Sequence, residues 1–292
     1  MNKQSLVYRS ARAVYRFFRS ELYFGVVHLP IGRAKHKAVL AKSVRNDSHT
    51  YTCFYRSPMQ MEALVGPVVE GLQRKGVRAL TIHVFAGSNG GEAYTIASEL
   101  LHRRPELEFT IRASDLHPHM VEQAGRASYT LQEITQGVSV PEEFIARTFD
   151  RDGERNVVRP HIKQRVSFEQ ADLLSEQLPQ QFPPADLVFA QNVLFHLPPP
   201  LARQAFGNIL RVLKPHARIF LDGMELDMRV ELTQRAGLKP LDYKVRQIYG
   251  YSRRHIPENW WDYYYGNEPY SVFSTDRLAR YCTIFECTGA GA

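Results

Sequence analysis

The feature that most constrains this chain is a strand-turn-helix run over residues 79–104. Ala79–Ala86 (ALTIHVFA) has the length and apolar character of a buried strand, GSNGG follows it, and EAYTIASELLHRR then sets Ile96, Leu100 and Leu101 at helical spacing. The alternation recurs downstream. Glu108–Ser114 reads as a second strand ending at Asp115, with a helix from about Pro118. Val166–Phe168, Ala185–Ala190 and Ala217–Asp222 read as further strands, with a helix at Leu201–Leu213. Met59–Lys75 is expected to be helical, and the polar stretch 130–165 to be an irregular excursion, centred near 140–165. Strands that alternate with helices imply a parallel sheet covered on both faces, so the expected class is α/β, doubly wound and Rossmann-like.

In such a sheet, ligands sit beyond the C-terminal strand ends, so the residues just after each strand are read together. They are Ala86–Glu92, Asp115, Asp172, Gln191–His196 and Asp222–Glu225. The turn Gly87-Ser88-Asn89-Gly90-Gly91 fits a tight strand-to-helix connection, and equally a loop whose backbone approaches a ligand. Asp115 fits a helix N-cap or, combined with that turn, a carboxylate accepting both hydroxyls of a ribose. The glycines do not form GxGxxG, and no P-loop Lys precedes a Ser or Thr. S-adenosylmethionine fits better than a dinucleotide or ATP: adenosine for Asp115, an amino-acid tail for the glycine loop and Glu92, and no pyrophosphate.

Charge is unevenly placed. The chain of 292 residues has 37 Lys+Arg against 30 Asp+Glu, yet residues 1–50 alone hold ten Lys/Arg and two acids, so the remainder is nearly neutral. A basic head on a neutral body weighs against a nucleic-acid binder, which needs its basic surface along the binding face. Within that head, Val7, Ala11, Val14, Phe18 and Leu22 share a helical stripe beside Arg9, Arg12, Arg16 and Arg19. Packing on the main domain, docking an acidic partner, membrane-surface attachment and a targeting peptide all fit that pattern. Cys53, Cys282 and Cys287 form neither a disulfide framework nor a zinc set, so a reducing cytoplasm and no metal are expected. No run approaches the roughly 18–20 apolar residues of a membrane span.

Five ordered segments resemble the chemotaxis-receptor (CheR-type) methyltransferase family, enzymes that use S-adenosylmethionine to esterify receptor glutamates. Thr52-Cys-Phe-Tyr-Arg56 is similar to the family's Thr-x-Phe-Phe-Arg, and Ala86–Ala97 aligns without a gap on Ala-x-Ser-Thr-Gly-Glu-Glu-Pro-Tyr-Ser-Ile-Ala. Ala113-Ser-Asp115 resembles Ala-Thr-Asp, and Val166–Leu173 resembles Val-x-Phe-x-x-x-Asn-Leu. Asp186–His196 is similar to Asp-x-Ile-Phe-Cys-Arg-Asn-Val-x-Ile-Tyr, with Leu213-Lys-Pro215 after it. The resemblance covers roughly residues 50–225. It implies a cofactor site of Ala86, Gly87, Ser88 and Gly90 in the first turn, with Glu92 on the amino group, Asp115 at the ribose, Asp172 at the adenine, and Leu116 and Leu173 also on the cofactor. Asn192 and Val193 would border the cofactor, and Arg56 would lie near the transferred methyl. Asp172 departs from the family's Asn and His196 from its Tyr. His196 therefore stands open as a base, a carboxylate-orienting donor or an ordinary loop residue.

The implied organisation is a basic segment (1–50), a cofactor domain (51–225) and a C-terminal extension (226–292). Ten aromatics fall within Tyr243–Phe273, both tryptophans among them. They fit either a packing segment at the sheet edge or a lid that would place Trp260, Trp261 and Tyr264 on a small acceptor. With only about 50 residues before the first motif, shorter than the helical domain of the receptor-modifying enzymes, the expected acceptor is a small molecule such as an amino acid or secondary metabolite. Protein glutamate is the alternative, and a non-catalytic S-adenosylmethionine sensor is a further one.

Overall fold

The computed structural model describes residues 50–254 and 270–288, with isolated positions ahead of residue 50. The basic stripe of residues 5–24 falls almost entirely outside the described residues, and so do Trp260, Trp261 and Tyr264.

Seven strands form one sheet in the order β6-β2-β1-β7-β8-β10-β9. They are β1 (Ala79–Phe85), β2 (Glu108–Asp115), β6 (Val166–Gln170), β7 (Ala185–Gln191), β8 (Leu213–Asp222), β9 (Leu238–Pro240) and β10 (Ile284–Cys287). β6, β2, β1, β7 and β8 pair in parallel, and β10 runs antiparallel to both β8 and β9. The chain builds outward from β1 through β2 to β6, then returns to place β7 on the other side of β1. Strand order thus reverses between β1 and β7, the topological switch point at which α/β sheets open a crevice.

Apolar alternation decides which face each strand residue covers. Leu80, Ile82 and Val84 of β1, with Leu187 and Phe189 of β7 and Phe220 of β8, belong to one core. Phe85, Val188, Ala190, Ile219 and Leu221 belong to the other. Every residue of β7 is buried, as expected of a central parallel strand covered on both sides. The helix Gly91–Arg103 buries Ala93, Tyr94, Ile96, Ala97 and Leu100, while Leu101, expected inward, is partly buried at its margin.

Some expected elements change shape. The helix expected over 59–75 is Pro58–Ala63, a π-helical turn Leu64–Val68 and Val69–Arg74, interrupted where Gly66 adopts φ −99° and ψ −112° ahead of Pro67. Proline's ring excludes the right-handed helical region for the residue before it, which accounts for the break. The helix expected at Leu201–Leu213 is Pro199–Leu210; Leu213 instead starts β8 and pairs with Ala185 past a register irregularity. The excursion is more ordered than expected. It holds a second sheet, β3-β5-β4, from β3 (Ser128–Thr130), β4 (Phe149–Asp152) and β5 (Arg155–Val158). Gly153, at φ 59°, turns the β4–β5 hairpin between Asp152 and Arg155.

Gly223 follows β8 with φ 63°, and a Cβ there would lie 2.6 Å from Asn192 Cα and 2.9 Å from Phe195 Cδ1. Its carbonyl accepts the Phe195 N–H at 3.0 Å, so the turn after β8 is the bed on which the turn after β7 rests. Substituting Gly223→Ala combines a strained φ with a direct overlap. It should cost about 2–3 kcal/mol in chemical denaturation; wild-type stability would contradict this packing.

Candidate functional site

Four strand ends and the segment before the helix Pro58–Ala63 meet in one crevice. β1 contributes Ala86, Ser88 and Glu92; β2 contributes Asp115, Leu116 and His117. β6 contributes Ala171, Asp172 and Leu173; β7 contributes Gln191, Asn192, Val193, His196 and Leu197. Thr50, Tyr51, Thr52 and Arg56 form the remaining wall. The crevice is open to solvent and encloses about 840 Å³ with that solvent included.

Eleven of the sequence-predicted residues therefore share a wall: Arg56, Ala86, Ser88, Glu92, Asp115, Leu116, Asp172, Leu173, Asn192, Val193 and His196. Gly87 and Gly90 do not line it. Gly87 donates its N–H to Ser114 O at 2.8 Å, tying the turn to β2. Gly90 has φ 90° and faces away, where a Cβ would lie 3.0 Å from Phe168 and 3.1 Å from Ala124. Its hydrogen atom serves conformation and packing behind the loop. Ala86 and Ser88 take positive φ as well, 53° and 48°, so the turn alternates its peptide planes and points the Ser88 amide inward.

That amide donates to Asp115 Oδ2 at 2.8 Å, while Asp115 Oδ1 accepts the His117 N–H at 3.0 Å. One carboxylate thus fixes the loops after β1 and β2, and it is only 8% exposed. A carboxylate has about four acceptor positions, so two stay available for a pair of vicinal hydroxyls. The next loop is set by Asp172, whose Oδ1 accepts the Leu174 N–H at 2.9 Å, and by Asn208, whose amide donates to Leu173 O at 2.7 Å. Leu116 and Leu173 provide apolar lining suited to a base.

Glu92 stands in the first turn of its helix and accepts from Gln191 Nε2 at 2.5 Å. Desolvation pushes its carboxyl up to about 7; Arg56 and the Gln191 hydrogen bond pull it down, and Asp222 pushes it up. A desolvated carboxyl at this value is suited to a cationic ligand, which would complete its charge. Burial likewise pushes the Tyr51 phenol up to about 12, Cys53 adding to and Arg56 opposing the shift, so Tyr51 is a neutral donor. The Arg56 guanidinium lies 5.9 Å from the Tyr51 ring centroid and donates to Tyr51 O at 3.5 Å. His196 ends the short turn Leu194–His196, its ring 4.0 Å from that of Phe195.

Thr50, Tyr51, Thr52, His117, Ala171, Gln191 and Leu197 also line the crevice without having been named as cofactor, catalytic or substrate residues. Gln191 ends β7 and fell among the residues read at the strand ends, whereas no sequence feature singled out His117. Tyr51 is brought in by contacts no local pattern announces: Ser88 Oγ donates to Thr50 O, and Gln136 Nε2 donates to Thr52 O at 3.1 Å.

A model of the "CheR methyltransferase, SAM binding domain" family matches residues 50–235. The chain belongs to this family. It is 28% identical to an "uncharacterized 104.1 kDa protein" of Rhodobacter capsulatus, over 62% of this chain and 19% of that protein. It is also 28% identical to a "probable biofilm formation methyltransferase WspC" of Pseudomonas putida, over 69% of this chain and 46% of that protein. A "chemotaxis protein methyltransferase" of Listeria monocytogenes is 24% identical over 59% of this chain and 63% of its own length. The chain thus spans between a fifth and just under two thirds of these relatives. The residues present fit S-adenosylmethionine: a buried carboxylate with acceptor capacity for a ribose, an apolar bay beside it, and a desolvated acid at the amino-acid end.

Two outcomes follow from this geometry. Asp115→Ala orphans the Ser88 and His117 amides, so stability should fall by about 1–3 kcal/mol in denaturant titration; no change would mean that the loops are held by something else. The Glu92 carboxyl, followed by 13C NMR, should titrate near pH 7. Its folded value lies above the ordinary 4.5, so the folded chain keeps a proton that the unfolded chain has lost. Ionising Glu92 should therefore cost stability as pH rises from about 4.5 to 7. A midpoint below 5 would contradict the desolvated site.

Proposed function

We propose that this chain is an S-adenosylmethionine-dependent methyltransferase that esterifies a carboxylate side chain of a protein, in the manner of the chemotaxis-receptor enzymes. The observation that carries it is the convergence of Asp115, Glu92, Arg56 and His196 on one crevice at the β1/β7 switch point. Relatives named as a chemotaxis protein methyltransferase and a biofilm formation methyltransferase favour a protein acceptor over the small molecule expected from the chain's proportions. The small-acceptor reading leaned on Trp260, Trp261 and Tyr264, which are outside the described residues.

When bound, the cofactor supplies an electrophilic methyl group on a sulfonium. Asp115 would hold the ribose hydroxyls, Leu116 and Leu173 would flank the base with Asp172 at its edge, and Glu92 would pair with the ammonium group. Asn192 and Val193, fixed by the Gly223 bed, would border the transfer path. Arg56, held beside Tyr51, would orient an acceptor carboxylate by charge-assisted hydrogen bonds. An ionised carboxylate attacks with a lone pair and has no proton to lose. The residues consequently act by alignment and by exclusion of water, and His196 acts as an orienting donor.

The full chain is incubated with methyl-labelled S-adenosylmethionine and either a glutamate-containing receptor-type peptide or a metabolite extract. The label should enter the peptide as an alkali-labile ester releasing methanol; label confined to a small molecule would overturn the protein acceptor. His196→Gln, which keeps a hydrogen-bond donor, should retain activity within about tenfold, whereas loss of a general base typically costs 10²–10⁴-fold. A loss on the larger scale would make His196 a base and point to an acceptor that must be deprotonated. Arg56→Ala, assayed at saturating cofactor, should lower kcat about 100-fold through misorientation; an unchanged kcat would remove Arg56 from acceptor orientation.

A further inference from the structure

The charge around Glu92 is unusual. A second carboxylate, Asp222, only 4% exposed, acts on it in the like-charge sense. Gln191 is the register partner of Asp222 across β7 and β8, and its amide donates to Glu92 at 2.5 Å. Asp222 has its own partners in the Gly223 N–H at 2.8 Å and the fully buried Arg229 at 3.7 Å. The charged groups that act on Glu92 are thus Arg56 from the preceding segment and Asp222 from β8, in opposite senses, with the neutral Gln191 from β7.

A guanidinium at position 191 would supply both a donor and a compensating charge. The motif matched by Asp186–His196 has Arg at this place, and here the residue is Gln191. An amide supplies direction without charge: it aims the Glu92 carboxylate while leaving its ionisation to whatever binds. We propose that Gln191 is a positioning residue whose neutral donor directs Glu92 at the cofactor's ammonium group and makes the ionisation of Glu92 part of cofactor binding. The inference rests on the cofactor reading above. On binding, the Glu92 proton passes to solvent and the carboxylate pairs with the ammonium, so affinity strengthens as pH rises through neutrality.

The test is calorimetry of the full chain with S-adenosylhomocysteine at pH 6, 7 and 8, in two buffers of different protonation heat. The wild type should release close to one proton at pH 6 and almost none at pH 8, with affinity about tenfold weaker at pH 6 than at pH 8. Gln191→Leu removes the donor and should move the midpoint to higher pH, weakening binding about tenfold at pH 7. Gln191→Arg should move it to lower pH and flatten the profile between pH 6 and 8. Glu92→Gln should abolish proton release. Thermal melting establishes that each variant folds, and if Gln191→Arg does not, the direction of the Gln191→Leu shift decides. Wild-type midpoints in the Gln191 variants, or proton release persisting in Glu92→Gln, would overturn this inference while leaving the cofactor reading intact. A wild type that does not bind S-adenosylhomocysteine at all would overturn both.

Discussion

The Asp115 carboxylate is the interaction on which the site depends. Its two oxygens take one backbone N–H from the loop after β1 and one from the loop after β2, so a single side chain sets the spacing of adjacent strand ends. Around it the other loops lock in turn. The Ala171 N–H donates to Asp115 O at 3.0 Å, bringing the β6 loop to the same point, and Ser88 Oγ donates to Thr50 O, bringing in the preceding segment. An ionic acceptor bonded to backbone amides in a largely dry pocket is strong and directional. The geometry that could receive a ribose is thus the geometry that assembles the crevice.

A second level of order comes from what surrounds that carboxylate. The two cores cover the sheet from both faces, and the crevice opens at its C-terminal strand ends, at the strand-order reversal. There the charges are divided among three groups: Asp115 is bonded on both oxygens, Glu92 is desolvated with an uncharged donor, and Arg56 provides positive charge from the segment ahead of the helix Pro58–Ala63. Such a division suits a ligand with a neutral hydroxylated middle, a cationic end and an approaching anion.

Much of this was legible in the residues. Alternating apolar runs such as ALTIHVFA and ADLVFA located the central strands, because a strand buried on both faces must be apolar throughout. Asp115 and Glu92 could be found because strand ends and the first helical turn are where a doubly wound sheet presents chemistry. Less visible were features that depend on contacts distant in sequence. That Gly87 and Gly90 lie behind the crevice wall was not legible, because a glycine-rich turn looks the same whether its hydrogens face a ligand or, as at Gly90, the Phe168 and Ala124 side chains. Tyr51 joins the crevice because its neighbours Thr50 and Thr52 are bonded to residues 38 and 84 positions away, and Gln191 joins through Glu92, 99 away; the small β3-β5-β4 sheet was hidden by its polar, half-exposed strands. The Asp-Gly turn at 152–153 was its one local sign.

The central claim is that one crevice, organised by Asp115, holds the cofactor. The most direct measurement is a crystal structure of the full chain with S-adenosylhomocysteine. The account predicts both ribose hydroxyls on the Asp115 carboxylate, the ammonium on Glu92 and the sulfur facing the Arg56 and His196 wall. A ligand bound elsewhere, or one whose ribose turns away from Asp115, would contradict it.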